Sequence, residues 1–290
     1  MSTYPYPAVV VSAANGARLQ ANPQTPYPPV PGPGEVLIRN VAVASNPKDW
    51  KLSAMGIFDG HIEGNDVAGY IEGVGSNVKD FKKGDKADRY GAYQTHTVAP
   101  ASTTFPLGPT ISFEDAAVVP LASLTAALGV FQKLRLLEPS VDGMPNPKTK
   151  GQGVLIWGAS SSVGTYAVQF AKRAGYYVIG IAGSGAATAL SFGCDAVVDY
   201  RDGDVVVTNV ESVHGPDGVL LQYVGISKMG SLVGDEELAT KWTRIIGNWL
   251  ERGILKPNVV RVIPGGLAGI RHGLELLRQG KISGEKLVCE

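Results

Sequence analysis

Two short stretches of this chain carry the residue types that chemistry needs. The first is Gly158-Ala159-Ser160-Ser161-Ser162-Val163-Gly164, with no large side chain before Val163. It separates the apolar residues Val154, Leu155, Ile156 and Trp157 from a segment in which Val163, Ala167, Phe170, Ala171 and Ala174 recur at helical spacing. The apolar run reads as a buried parallel strand, because both of its faces are apolar. Gly175 reads as the cap that ends the helix. A strand–helix junction without bulky side chains lets the backbone approach a pyrophosphate and aims the helix's first N–H groups at it. Aligned on Gly164, two glycines of the G-x-G-x-x-G pattern are replaced, by Ala159 and Ser161. Turns of small residues also occur where nothing binds, so the turn alone leaves both readings open. The second stretch is Ser45-Asn46-Pro47-Lys48-Asp49-Trp50-Lys51, which concentrates two lysines, an aspartate and an indole. It reads either as a solvated turn into a short helix or as a site loop.

The whole chain bounds what these stretches can serve. Its 290 residues suffice for a large core and about two domains. Lys plus Arg and Asp plus Glu number 26 each, so net charge gives no reason to expect a nucleic acid or an anionic membrane as partner. No apolar run is expected to reach the ~20 residues of a membrane span, and the first residues lack the pattern of a secretory signal. Two cysteines, Cys194 and Cys289, exclude a disulfide framework and a Cys-rich zinc site. A reducing, cytoplasmic location is the expectation.

The positioning elements follow in chain order. Ala8 to Val11 reads as a strand, residues 23–33 as a proline-rich extended arm, and residues 35–44 as a strand. Residues 64–75 are studded with glycine, as in strands bending through a small barrel. Residues 93–98 read as another strand. Helical periodicity begins near Ile111, with Ser112 as N-cap. One helix runs to Pro120 and a second covers residues 123–134. Residues 136–152 read as a surface excursion. After the glycine turn come a strand over 176–182, a helix over 186–192 and a strand over 196–200, a βαβαβ series that strengthens the nucleotide reading of the turn. The second strand ends without the Asp or Glu that holds a ribose 2′-hydroxyl. Ser184 stands there instead, which favours NADP(H) over NAD(H), although no Lys or Arg follows it locally. Beyond residue 200 the chain has room for about two further strand–helix steps, with a strand over 219–224 and a helix over 242–252. The nucleotide domain thus reads as short by one step. A helix over 266–280 and a strand near residue 288 close the chain.

In combination, Asn46 to Lys51, Gly64-Asn65-Asp66-Val67-Ala68-Gly69, Val74-Gly75, Gly84-Asp85, residues 154–164, 195–201 and 280–288 resemble the medium-chain dehydrogenase/reductase superfamily. The resemblance spans nearly the whole chain. It is nearest to the zinc-independent branch of quinone reductases and fungal trans-acting enoyl reductases. It implies an α/β protein: a β-rich GroES-like domain over residues 1–122, a Rossmann-type doubly wound parallel sheet over 123–264, and a return segment over 265–290. It implies NADP(H) as cofactor and hydride transfer to an activated C=C of an enoyl thioester, enone or quinone. The substrate would be a small molecule or a carrier-bound acyl group, with a polyketide synthase as partner. Ser160, Ser161, Ser162, Val163 and Gly164 would contact the pyrophosphate, Ser184 and Tyr200 the adenosine end, and Lys48 and Asp49 the ribose and nicotinamide. Ile282 and Ser283 would close over the cofactor. Lys51 and Tyr223 would be the catalytic contacts, and Thr125, Leu128 and Phe131 would wall the substrate channel. No dedicated acid stands out for the α-carbon proton, which water can supply. Asn46 and Gly64-Asn65-Asp66 replace the Cys and Gly-His-Glu of the zinc-dependent branch, so no zinc is expected. Two departures stand out: chain is missing between Arg89 and Gly91, and a strand–helix–strand piece is missing between about residues 207 and 218. The lysine expected soon after Ser184 is also absent. A non-redox protein on the same scaffold, such as a cyclase, a synthase partner or a pseudoenzyme, is the competing reading.

Overall fold

The computed structural model describes residues 6–23, 27–81, 86–87, 91–202 and 236–290. The chain forms two compact units: Met1–Leu121 with Glu236–Gly253 and Pro257–Glu290, and Ala122–Asp235 with Ile254–Lys256.

The first unit is mostly β. Strand β1 (Pro7–Ser12) pairs antiparallel with β2 (Gly16–Ala21) and, across its other edge, with β4 (His61–Ile62). The larger sheet is organised on β3 (Glu35–Ala44), the longest strand, which pairs antiparallel with β5 (Asp66–Val74), β7 (His96–Pro100) and β12 (Lys286–Cys289). Strand β6 (Lys86–Ala87) extends β5, and β11 (Val260–Val262) runs parallel to β12. One core gathers Val36, Ile38, Val67, Ile71, Tyr93, Ile270 and Leu287. A second consists almost wholly of small residues, Ala42, Ala44, Ala68, Ala116 and Ala117 with Val118 and Val288. Their size lets the short helix α2 (Phe113–Ala117) lie close on the sheet. Ser112 caps that helix as expected, accepting from Asp115 N at 3.0 Å.

Residues 45–51 follow the first of their two readings, a turn into a short helix: α1 spans Pro47–Ala54 with proline in its first turn. Several elements differ from the sequence expectation. Pro120 does not end a helix but begins α3 (Pro120–Ala127), which continues as a wider π-type turn over Leu128–Lys133. The helical run Phe113–Lys133 is long and apolar enough to cross a membrane by length and composition, contrary to the expectation that no such run exists. Its apolar stretch is 78% buried within the protein, which marks a core helix. The strand expected from Tyr93 begins at His96, because Tyr93 turns into the core instead. Helix α6 (Glu236–Glu251), assigned by sequence to the nucleotide domain, clusters with the first unit. It packs on the turn Ala101–Thr103, and Gly247 makes room for Phe105, whose Cβ would lie 2.7 Å from an added Cβ. The last helix is split into a 3₁₀ turn, Gly266–Gly269, and α7 (Ile270–Arg278).

The second unit holds three parallel strands in the order β10-β9-β8. These are β8 (Gly153–Trp157), β9 (Tyr177–Ala182) and β10 (Ala196–Asp199), connected through α4 (Ser162–Ala174) and α5 (Ala186–Ser191). The βαβαβ expectation is met, including Gly175 at φ 99° as the left-handed helix cap. Strand β8 is not buried on both faces, however. Leu155 is 38% and Trp157 64% exposed, and among the described residues no strand pairs with the outer edge of β8. The strand expected over 219–224 and the gap near 207–218 lie outside the described residues.

Candidate active site

The turn after β8 is shaped by what cannot fit in it. A Cβ on Gly164 would lie 2.1 Å from the carbonyl oxygen of Gly158, so only glycine lets α4 start this close to the strand end. Gly158 takes φ +70°, a conformation glycine adopts without strain. Ser161 is the N-cap, its Oγ accepting from Gly164 N at 3.1 Å. In-helix bonding begins with Thr165 N to Ser161 O at 2.9 Å, as expected at a helix N-terminus. The turn therefore presents a serine-rich lip over the positive end of a 13-residue helix. It fits a pyrophosphate, with Ser160, Ser161, Ser162, Val163 and Gly164 all on this lip.

The carboxyl ends of all three strands lie side by side. Trp157 is opposite Ile181, and Asp199 is opposite Ala182. Tyr200 follows β10 and leans over the end of β9, where an added Cβ on Gly183 would lie 2.8 Å from its ring. Its ring stacks on Trp157 at 6.4 Å and 24°. Both aromatics are more than half exposed. The exposed Ser184 follows Gly183, and Ser160 reaches the same corner, its Oγ lying 2.3 Å from an added Cβ on Gly185. The structure thus brings Ser160, Ser184 and Tyr200 to one edge of the second unit and adds Trp157, which sequence reasoning had spent on the strand's core. Arg201 is folded back on Asp199, its Nε donating to Oδ1 at 2.8 Å and Nη2 to Oδ2. That pair holds the Asp199 carboxyl down at about 2.

In the first unit, α1 carries a buried ionic cluster. Asp49 is fully buried. Its Oδ2 accepts from Asn46 N at 2.8 Å and from the Tyr93 hydroxyl at 2.7 Å. Lys48 Nζ lies 2.8 Å from Asp49 Oδ1 and 2.8 Å from Glu63 Oε2. Burial alone would lower the Lys48 ammonium, but the charges of Asp49 and Glu63 outweigh it and hold it above the ordinary lysine value. Burial pushes the Glu63 carboxyl up, and Lys48 opposes this only in part. Burial and the Asp49 charge together push the Tyr93 phenol well up. Beside this cluster, Asp66 Oδ2 accepts from Asn46 Nδ2 at 2.7 Å and from Lys286 Nζ at 2.5 Å, while Oδ1 accepts from Leu121 N at 2.8 Å.

These contacts reassign several expected site residues. Asp49 is sealed inside, with Oδ2 accepting two hydrogen bonds and Oδ1 facing only the Lys48 ammonium, so it holds α1 in place. Lys48 is largely committed to two carboxylates. Lys51 is exposed one turn later, its Nζ 5.7 Å from the centre of the Trp50 ring, and remains available to a ligand. Thr125, Leu128 and Phe131 are buried, and the Phe131 ring packs on Phe170 at 6.0 Å within the second unit. Ile282 is half-buried and Ser283 exposed. Tyr223 lies outside the described residues. Sequence reasoning missed Glu63, Tyr93 and Lys286. The one available signal was a lone lysine heading the apolar run Leu287-Val288-Cys289.

The positions that would hold zinc do not fit it. Asn46 turns its amide hydrogens, not a lone pair, toward Asp66, and Lys286 already neutralises that carboxylate. Among the described residues no group of three His, Cys, Asp or Glu is placed to hold a metal ion.

Comparison with known proteins agrees with this architecture. Residues 32–109 match the alcohol dehydrogenase GroES-like domain. The chain is 36% identical to dehydrogenase pigH of Monascus ruber and 38% identical to trans-enoyl reductase tndF of Aspergillus flavipes, over 66% and 67% of its own length. Those matches span 56% and 59% of the two relatives, less than two thirds of each. It is 32% identical to dehydrogenase orsE of Emericella nidulans over 90% of this chain and 93% of that one. That alignment runs over 330 positions, more than the 290 residues available here, and so requires gaps on this side. Among solved structures, the CurK enoyl reductase superposes with a TM-score of 0.75 at 19% identity, covering 97% of this chain and 98% of that one. A mycobacterial quinone oxidoreductase superposes with a TM-score of 0.73 at 20% identity, covering 98% and 99%. A GroES-like β unit followed by a Rossmann-like parallel sheet, with full-length similarity to orsE, shows that this chain belongs to the medium-chain dehydrogenase/reductase superfamily of oxidoreductases.

Proposed function

We propose that this protein is an NADP(H)-dependent, zinc-independent reductase that transfers hydride to an activated C=C of an enoyl thioester, enone or quinone. The observation that carries the reading is the turn at Gly158 to Gly164, where only glycine fits at position 164 and the ends of β8, β9 and β10 gather beside it. Ser160 to Gly164 hold the pyrophosphate against the α4 N-terminus, and the edge formed by Trp157, Gly183, Ser184 and Tyr200 takes the adenosine end. The nicotinamide group, when bound, supplies a hydride. Lys51 offers an exposed ammonium to the oxygen on which enolate charge develops, and water supplies the α-carbon proton. The absence of an acid after β9 supports NADP(H) over NAD(H). The unsuitable Asn46 and Asp66 support zinc independence. The name trans-enoyl reductase supports an enoyl substrate. A carrier-bound acyl group, a polyketide synthase partner and a cytoplasmic location complete the proposal.

A second reading, a non-redox protein on this scaffold, is favoured by the gapped alignment. One titration separates the two. NADPH in 100-fold excess over its Kd should stabilise the protein by about 2.7 kcal/mol, read as a rise in melting temperature. No rise with NADPH or NADP+ at millimolar concentration would sink the reductase reading. A stoichiometric, tightly held zinc in the purified protein would sink the zinc-independent part.

A further inference from the structure

A 2′-phosphate carries close to two negative charges at neutral pH, and a serine hydroxyl does not neutralise them. Selectivity for it needs a cation at the ends of the parallel strands. From Trp157 to Ala171, and again from Tyr177 to Val198, the chain contains no lysine, arginine or histidine. Among the described residues of this unit, the cation that follows directly on these strand ends is Arg201. It follows Tyr200, whose ring rests on Gly183, the neighbour of Ser184. The pairing of Asp199 with Ala182 makes residues 199–201 and 182–184 leave their strands side by side. The Arg201 side chain is 58% exposed, yet it is oriented. Its backbone N donates to Asp199 Oδ1 at 2.9 Å, and its Nε donates to the same oxygen at 2.8 Å. This hold uses Nε and one Nη2 hydrogen, and among the described residues the other three guanidinium hydrogens have no further hydrogen-bond partner. It also neutralises Asp199, which would otherwise repel a phosphate from this corner.

Resting on the NADP(H) reading above, we infer that Arg201, positioned by Asp199, is the residue that selects a 2′-phosphorylated adenosine at Ser184. It takes the place of the lysine that this chain lacks after that serine. The pair acts as a fixed fork: one side of the guanidinium is anchored to Asp199 and the other faces the phosphate.

The test is binding, without turnover. The full chain is titrated calorimetrically with 2′,5′-ADP and with 5′-AMP, and so are Arg201→Gln and Arg201→Lys. The wild type should bind 2′,5′-ADP at least about tenfold more tightly than 5′-AMP, a charged hydrogen bond's worth of discrimination. Arg201→Gln should lose that preference while keeping its affinity for 5′-AMP, and Arg201→Lys should recover part of it. The inference is overturned if Arg201→Gln keeps the preference, if both ligands weaken equally, or if the wild type shows no preference. NADPH and NADH provide the control. If neither binds the wild type, the cofactor reading fails as well. If they bind and the preference survives Arg201→Gln, only the role of Arg201 fails.

Discussion

Lys48 shows how a residue that looks poised for chemistry can be occupied by structure. Its ammonium stands between Asp49 and Glu63, two buried carboxylates that would be costly to leave unpaired. Replacing it by a group of similar length without charge, Lys48→Met, should destabilise the protein by about 3 kcal/mol at pH 8. The sign of the pH dependence follows from Glu63. Its folded-state pKa is already raised by burial, so its protonated form is favoured in the folded protein. That contribution is present below the unfolded carboxylate value and is lost as pH rises through the folded one. Without Lys48 the folded value climbs further, and the defect should shrink as the pH is lowered from 8 toward 5. Urea unfolding at the two pH values measures this, and an equal loss at both would refute the assignment. The cluster was hidden from sequence reasoning because Glu63 and Tyr93 lie 15 and 45 positions from Lys48, and Asp66 and Lys286 are 220 apart. Spacing along a chain carries no information about such pairs. The small-residue turn, by contrast, was legible, since the strand end, the glycine and the helix start all lie within a few consecutive residues.

At the level of elements, local signals served well and burial signals misled. Helix α4, its Gly175 end, and the alternation of β8, β9 and β10 with helices follow from period and capping alone, whereas the Ser161 N-cap emerged only from the structure. The apolarity of β8 suggested a strand covered on both faces, yet Leu155 and Trp157 are exposed among the described residues, because apolarity alone does not say what packs on a face. The π-type turn Leu128–Lys133 shows the converse. Apolar side chains on one helical face can wall a channel or fill a core, and the period is the same for both. Here Phe131 meets Phe170 of α4. Phe131→Ala should therefore cost about 3–5 kcal/mol of stability. A variant of unchanged melting temperature with altered substrate preference would restore the channel reading.

For the whole molecule, composition and alternating patterns sufficed to identify a β-rich unit and a parallel α/β unit. The assignment of α6 depended on a tertiary contact between Gly247 and Phe105. The buried protons of the first unit have a global consequence. Tyr93 is raised by burial and the neighbouring Asp49, while Lys48 is raised because the charges of Asp49 and Glu63 outweigh its burial. The folded protein therefore keeps protons that the unfolded chain releases near pH 10. The stability these groups contribute is complete below that value and is lost as pH rises above it. The melting temperature should fall between pH 9 and pH 11, and Tyr93→Phe should fall less steeply over that interval. A Tyr93→Phe profile parallel to the wild type would remove Tyr93 from this account.

The amino-acid sequence by itself determined the order of elements, the family resemblance, the glycine at position 164 and the small residues that line the nucleotide turn. All of these are governed by backbone sterics and short-range periodicity. Only the tertiary structure decided which charges are consumed internally and which remain exposed. It closed Asp49 and Lys48 into an ionic cluster, left Lys51 open, and turned Trp157 outward against Tyr200. Burial and electrostatic pairing arise between residues distant in the chain, so they come into being only when the fold brings those residues together. For the backbone shape of the turn that would hold the pyrophosphate in the proposed reductase, the small residues and the glycine at position 164 were enough. For the residue that would choose between its cofactors, Arg201, the register of β9 against β10 was required.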